Sequence, residues 1–267
     1  MTVTVETESR ITVVTINRPQ ARNAVNPETA QKLYDAFLAF EANEAADVAI
    51  LTGADGHFCA GYDLKSAASG DGQDWLKNVE ISESWVDACS QPAPGPMGPS
   101  RLVLSKPVIA AVEGYAVAGG LELAAWCDMR VAAESAIFGV FCRRWGVPLI
   151  DGGTVRLPRI LGQGRANDLI LTGRPVQAKE AHSMGLADRV VPNGQALGEA
   201  KRLADALVTF PQSCMQADLA SAQLSGRDLA LALRREWESF QSFSAEGVAG
   251  AARFSDGKGR GGDFSDI

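Results

Sequence analysis

The sequence predicts an α/β protein with one large core and a helical end, on three observations. Short β-branched or apolar runs alternate with helix-patterned stretches through the first two thirds of the chain. The last third carries helical spacing only. At 267 residues, 46% hydrophobic and 21% charged, the chain is long enough to bury a single core of α/β size and ordinary in composition.

Val3 to Val5 and Arg10 to Ile16 alternate or run β-branched, which predicts two short strands with a turn near Glu8-Ser9. The Asn-, Pro- and charge-rich Asn17 to Asn26 reads as a loop. Asn26 then suits an N-cap and Pro27 a first helical position. Ala30, Leu33, Phe37 and Phe40 share one face of the helix that follows, which ends near Asn43. Val48 to Leu51 is a buried strand. Gly70 to Ser100 is the least regular region, with a helix through Trp75 to Cys89 and then Q-P-A-P-G-P-M-G-P-S. Four prolines in eight residues exclude a helix or a central strand there, so a lid or surface loop is expected.

The stretch Ala111 to Asp128 organises the rest. An apolar run, Pro107 to Val112, reaches Gly114, and Gly119-Gly120 then opens L-E-L-A-A-W-C, a helix start with Glu122 in its first turn. Helix N-termini expose backbone N–H groups and partial positive charge, and paired glycines let a ligand oxygen approach them. An acid beside such donors is either a reaction centre or a dipole-stabilising side chain at a glycine turn. Beyond it, Met129 to Ala133 and Ala136 to Val140 predict strands. Thr154–Leu161, Gly164–Leu171 and Ala178–Met184 predict helices, the last capped by Gly185, and Leu186 to Val191 predicts a strand. From Gln195 to about Phe254 the pattern is helical. The divisions expected are a core at 1–195, a helical region at 196–254 and a flexible glycine-rich tail at 255–267.

Several function classes lose support. A net charge of −7 with both signs interspersed argues against nucleic acid as a partner. No run of 18 apolar residues and no signal-like N-terminus occur, so the expectation is a cytoplasmic protein with no membrane segment. Five scattered cysteines without C-x-x-C argue against disulfides and a structural metal site. G-x-S-x-G, Walker A and G-x-G-x-x-G are all absent.

Five landmarks in order resemble the crotonase (enoyl-CoA hydratase/isomerase) superfamily, from about Val13 to about Phe254. They are N-R-P-Q-A-R-N-A-V, F-C-A-G-Y-D-L, K-P-V-I-A-A-V-E-G-Y-A-V-A-G-G-L-E-L to C-D, D-G-G-T-V-R-L-P-R-I-L-G, and L-T-G-R-P-V-Q-A-K-E-A-H-S-M-G-L-A-D-R-V-V-P. The resemblance implies a crotonase (ClpP-like) spiral of ββα repeats forming two roughly perpendicular sheets. It also implies a C-terminal helical trimerisation region giving a homotrimer or a hexamer (a dimer of trimers). The implied activity is that of an enoyl-CoA hydratase, a lyase of fatty acid metabolism acting on an acyl-CoA, with coenzyme A part of the substrate and no separate cofactor. By motif position, the Tyr62 and Gly119 N–H groups form the oxyanion hole, and Tyr62, Asp63, Leu64 and Lys65 line the thioester and pantetheine region. Arg22 is a candidate for the CoA phosphates.

Hydratases of this family use two glutamates. The first matches Glu122, but the second position falls on Cys142, flanked by Phe141, Arg143 and Arg144. Three readings follow: hydration with Glu122 alone, other enolate chemistry (isomerisation, decarboxylation or thioester hydrolysis), or acyl-CoA binding without turnover. Cys142 is either a buried structural cysteine or a thiol activated by its arginines. Asp151 is the remaining acid nearby, with a turn role ahead of Gly152-Gly153 as the alternative.

Overall fold

Strands β1 (Val3–Glu8) and β2 (Ile11–Ile16) form an antiparallel hairpin. Its turn is Ser9-Arg10, one residue later than expected, and both residues have positive φ, as a tight two-residue hairpin loop requires. The computed structural model describes residues 1–68 and 70–259, with backbone only for residue 71 and residues 241–244. The expected tail beyond residue 259 lies outside the described residues.

Helix α1 (Pro27–Ala42) starts as its sequence predicts: the Asn26 side chain accepts from the Thr29 N–H at 3.1 Å, with Pro27 at the first position. The Lys106 ammonium closes its other end on the carbonyls of Phe40, Glu41 and Asn43. Strand β3 (Val48–Gly53) follows, then α2 (Leu64–Ala68) and α3 (Asp71–Asn78).

Two ββα units come next. The first is β4 (Val108–Val112), β5 (Tyr115–Val117) and α4 (Gly119–Trp126). The second is β6 (Met129–Ala133) and β7 (Ile137–Gly139), with α5 (Gly153–Leu161) and α6 (Gln163–Thr172). In each unit the first strand joins one sheet and the second strand another. β3, β4 and β6 pair in parallel, and so do the Cys59 bridge, β5 and β7. This repeat is the spiral that the sequence implied. Strand β8 (Val176–Gln177), helix α7 (Ala178–Met184) and strand β9 (Arg189–Val191) complete sheets of order β1-β2-β3-β4-β6-β9 and β5-β7-β8. Helices α8 (Ala196–Leu207), α9 (Gln212–Ala222) and α10 (Gly226–Ser255) end the described chain.

The centre of the large sheet is buried on both faces, which is why β3 and β4 read as continuous apolar runs rather than alternating ones. Ala49, Leu51, Ala110 and Val112 pack toward α1 and the main core. Val48, Ile50, Ile109 and Ala111 face α8, whose Ala196, Ala200 and Ala204 are small enough for close packing on the strands.

Three expectations need correction. The helix expected through Trp75 to Cys89 stops at Asn78. Side-chain hydrogen bonding replaces it: the Gln91 amide oxygen accepts from the Val86 and Asp87 N–H groups, and the Arg101 guanidinium takes the Val79 carbonyl. The proline-rich segment is not a surface loop at its end, because 95–100 are buried. Its polar backbone is satisfied by mutual Gly95–Gly98 bonds and by the Asp151 carboxylate, which accepts from the Met97 N–H and the Ser100 hydroxyl. The strand expected from Leu186 begins only at Arg189, since the Leu186 and Ala187 N–H groups turn back to the Ala181 carbonyl and close α7. No described helix is long and apolar enough to cross a membrane.

Candidate active site

One cavity of about 1300 Å³ opens between α2, α3, the start of α4, the turn at Phe141–Trp145 and α10. Every residue singled out from the sequence as a site candidate lines it: Arg22, Tyr62, Asp63, Leu64, Lys65, Gly119, Glu122 and Cys142. Asp151 does so as well.

Two backbone segments meet at its floor. On one side, the Val25 N–H donates to the Gly61 carbonyl and the Asp63 N–H to the Val25 carbonyl, both at 2.8 Å. Strand alternation therefore points the Tyr62 N–H away from Val25. On the other side, Ala118 turns the chain from β5 into α4 at φ 53° and ψ −126°, a conformation that costs an alanine about 1–3 kcal/mol. Gly119 is the first residue of α4, so its N–H has no partner within the helix. Gly61, at φ 96°, lets the segments approach: a β-carbon built there would lie 3.1 Å from the Gly119 nitrogen. A β-carbon on Gly120 would run into the Cys59 carbonyl, so the second glycine of the pair seats α4 against the same segment.

Glu122, one turn into α4, is only 3% exposed yet lines the cavity. Its Oε1 accepts from the Asp151 and Gly153 N–H groups, each at 2.9 Å. Burial pushes its carboxyl well above the usual range, helped by the negative charges of Asp151 and Glu236 and opposed by those two N–H groups. Asp151 is also raised by burial, but its Oδ1 is engaged by Met97 and Ser100. It therefore ties the proline-rich segment to D-G-G-T, the turn role left open by the sequence.

Cys142 is buried in the Phe141–Trp145 turn. Burial first, and then the charge of Glu122, push its thiol up to about 12, outweighing Arg143. A shift in this direction works against an activated thiol, because it reduces the thiolate fraction at neutral pH.

Glu236, on α10, lies outside all five sequence landmarks. Its carboxylate is 4% exposed and accepts from Gly152 N–H at 2.5 Å, Thr154 N–H at 2.9 Å and the Thr154 hydroxyl. Burial lifts it to about 7. Its one sequence signal is position, since it lies among Leu229, Leu233, Trp237 and Phe240 on the apolar face of α10. Two guanidiniums, Arg101 buried and Arg156 half-buried, face the same cluster. Arg156 donates to the Asp151 carbonyl at 2.9 Å and the Ser100 carbonyl at 2.7 Å. Arg101 stacks 4.8 Å over the Trp237 ring, and burial lowers it to about 10.

The rest of the cavity divides by chemistry. Arg22 and Lys65 are exposed, and Arg22 lies 5.3 Å over the Tyr115 ring. Arg18 is paired with Asp63 at 2.9 Å. Opposite, Leu76, Met97, Trp145, Ile150, Trp237 and Phe240 give an apolar wall. The arrangement can hold a charged, elongated ligand with an apolar end and a polarisable oxygen at the two backbone donors.

Known proteins resemble this chain throughout. The family model described as enoyl-CoA hydratase/isomerase matches residues 6–256. The enoyl-CoA hydratase EchA19 of Mycobacterium tuberculosis is 42% identical over 217 residues, 81% of this chain and 78% of that protein. A probable enoyl-CoA hydratase of Rhizobium meliloti is 37% identical over 91% of this chain and 90% of its own length. The crystal structure of a carnitinyl-CoA hydratase from Mycobacterium avium superimposes with a TM-score of 0.80 at 30% identity, covering 96% of this chain and 95% of that one. With motifs, spiral and cavity in agreement over nearly its whole length, the chain belongs to the enoyl-CoA hydratase/isomerase family, the crotonase superfamily.

Proposed function

We propose that the protein hydrates a 2-enoyl-CoA, with Glu122 alone serving as base and acid. The observation that carries this reading is the placement of Glu122: one oxygen is fixed by two N–H groups, one turn along the helix that begins with the Gly119 donor. The thioester oxygen sits between the Tyr62 and Gly119 N–H groups, and polarisation makes the β-carbon electrophilic. Glu122 takes a proton from water as the oxygen bonds to the β-carbon, leaving an enolate on the thioester. The same carboxyl then returns the proton to the α-carbon. A group that must both accept and donate works best with a pKa lifted toward neutrality, the direction in which burial moves Glu122. Arg22 and Lys65 suit the CoA phosphates and the pantetheine region, and the apolar wall suits the acyl chain. Coenzyme A enters as part of the substrate.

Cys142 favours one second reading, because a single base beside an oxyanion hole also suffices for double-bond isomerisation. Short-, medium- and long-chain 2-enoyl-CoAs separate the two. Hydration consumes the conjugated thioester absorbance and adds the mass of one water, whereas isomerisation changes absorbance at constant mass. Tight acyl-CoA binding with neither change on any chain length would leave a binding protein.

The active assembly is inferred to be a homotrimer, or a hexamer of two trimers. Helix α9 buries none of its residues, and Phe210 and Leu231 are 52% and 68% exposed, surfaces suited to a neighbouring chain. Light scattering on the eluting protein should return three or six chains. A monomer at assay concentration would refute the inference.

A further inference from the structure

Four consecutive residues, 151–154, offer their backbone N–H groups alternately to two carboxylates. Glu122 takes Asp151 and Gly153, while Glu236 takes Gly152 and Thr154 and adds the Thr154 hydroxyl. The turn that opens α5 is thus clamped from one side by the α4 carboxylate and from the other by a carboxylate delivered on the C-terminal helix. Neither can move its end of the strip without disturbing the other's hydrogen bonds.

The same cluster sets charge. Glu122 is faced by Asp151 and Arg156 from the turn and α5, by Cys142 from the Phe141–Trp145 turn, and by Glu236 from α10. Arg101, from the turn at Pro99–Arg101, faces Asp151 and Glu236. Three carboxyls meet two guanidiniums, so the fully ionised cluster carries one excess negative charge. Bringing such a charge out of water favours retention of a proton within the cluster.

We propose that Glu236 is a positioning residue for the chemistry at Glu122: it holds the 151–154 strip that orients Glu122 and places a negative charge beside it, making the seating of α10 a condition for turnover. This rests on the reading of Glu122 as the acid/base. A glutamine at 236 cannot substitute, because its NH₂ would face the N–H of Gly152 or Thr154 and its charge is gone.

The direction of the pH effect follows. Glu122 must be ionised to accept the water proton, so kcat falls as pH drops through its pKa. A neighbouring negative charge raises that pKa, and removing the charge lowers it.

The test is the pH profile of kcat for enoyl-CoA hydration. Glu236→Gln is expected to reduce kcat about tenfold or more, to move the acid limb down by roughly half a unit, and to leave KM within about twofold because the CoA contacts are untouched. Thr154→Val removes the hydroxyl that lowers the pKa of Glu236 most, so Glu236 is less ionised and the acid limb moves the same way by less. A folded Glu236→Gln protein with a profile superimposable on wild type would overturn the proposal, even if its Tm fell. If that variant does not fold, an unmoved acid limb in Thr154→Val overturns it instead. Full activity in Glu122→Gln sinks the acid/base reading itself, and this inference with it. An inactive Glu122→Gln beside an unchanged Glu236→Gln sinks the inference alone.

Discussion

Glu122→Gln is expected to lower kcat for enoyl-CoA hydration by about 10⁴-fold, the upper end for loss of general acid–base catalysis, because one group carries both proton transfers. The substitution is close to isosteric. Its amide oxygen can still accept from the Asp151 and Gly153 N–H groups that now hold Oε1, so the D-G-G-T turn keeps its shape. What disappears is the ability to take a proton from water and return it to carbon. Removing a buried carboxylate that stands among Asp151 and Glu236 also relieves like-charge repulsion, so Tm should hold steady or rise. KM should change little, since the CoA contacts are elsewhere in the cavity. Loss of the conjugated thioester absorbance reads the rate, and thermal unfolding reads the fold. Survival of most of the rate would hand the proton to another group. Asp151 is the acid nearest to hand, with its Oδ1 held by Met97 and Ser100.

The sequence exposed the parts of this site that are local. The F-C-A-G-Y-D and A-G-G segments carry their own geometry, a glycine at positive φ and a helix start, and Glu122 follows at fixed helical spacing. Strands β3 and β4 were equally legible, since burial on both faces leaves only apolar residues. Features made by partners distant in sequence were hidden. The proline-rich segment has the composition of a surface loop, and its burial depends on a carboxylate at Asp151. The helix expected past Asn78 has adequate propensity but loses to the Gln91 side chain. Glu236 and Arg101 belong to no local motif. Glu236 is held in the interior by hydrogen bonds from Gly152 and Thr154, and Arg101 by the charges of Asp151 and Glu236, partners that no window of sequence displays.

The oxyanion hole itself is tested by Gly61→Ala, which should cut kcat by about 10²–10³-fold, the loss typical of one missing donor. Two effects combine. Gly61 has φ 96°, where an L side chain costs about 1–3 kcal/mol. The added methyl would also lie 2.9 Å from the Ala118 β-carbon and 3.1 Å from both the Gly119 nitrogen and the Val117 carbonyl. Retreat is blocked, because the Gly61 carbonyl and the Asp63 N–H are bonded to Val25 on the far side. The strain must therefore open the gap between residues 61–62 and 118–119, the distance that a thioester oxygen has to bridge. A ground-state ligand held mainly by CoA contacts feels this less than a developing enolate, so kcat should fall far more than KM rises. Denaturant unfolding should show a stability loss of about 2–6 kcal/mol, the backbone strain and the overpacking together, and it identifies the folded protein on which the rate is read. A folded Gly61→Ala enzyme within about threefold of the wild-type rate would mean that the enolate oxygen is held somewhere other than the Tyr62 and Gly119 amides, since a displaced donor costs far more than that.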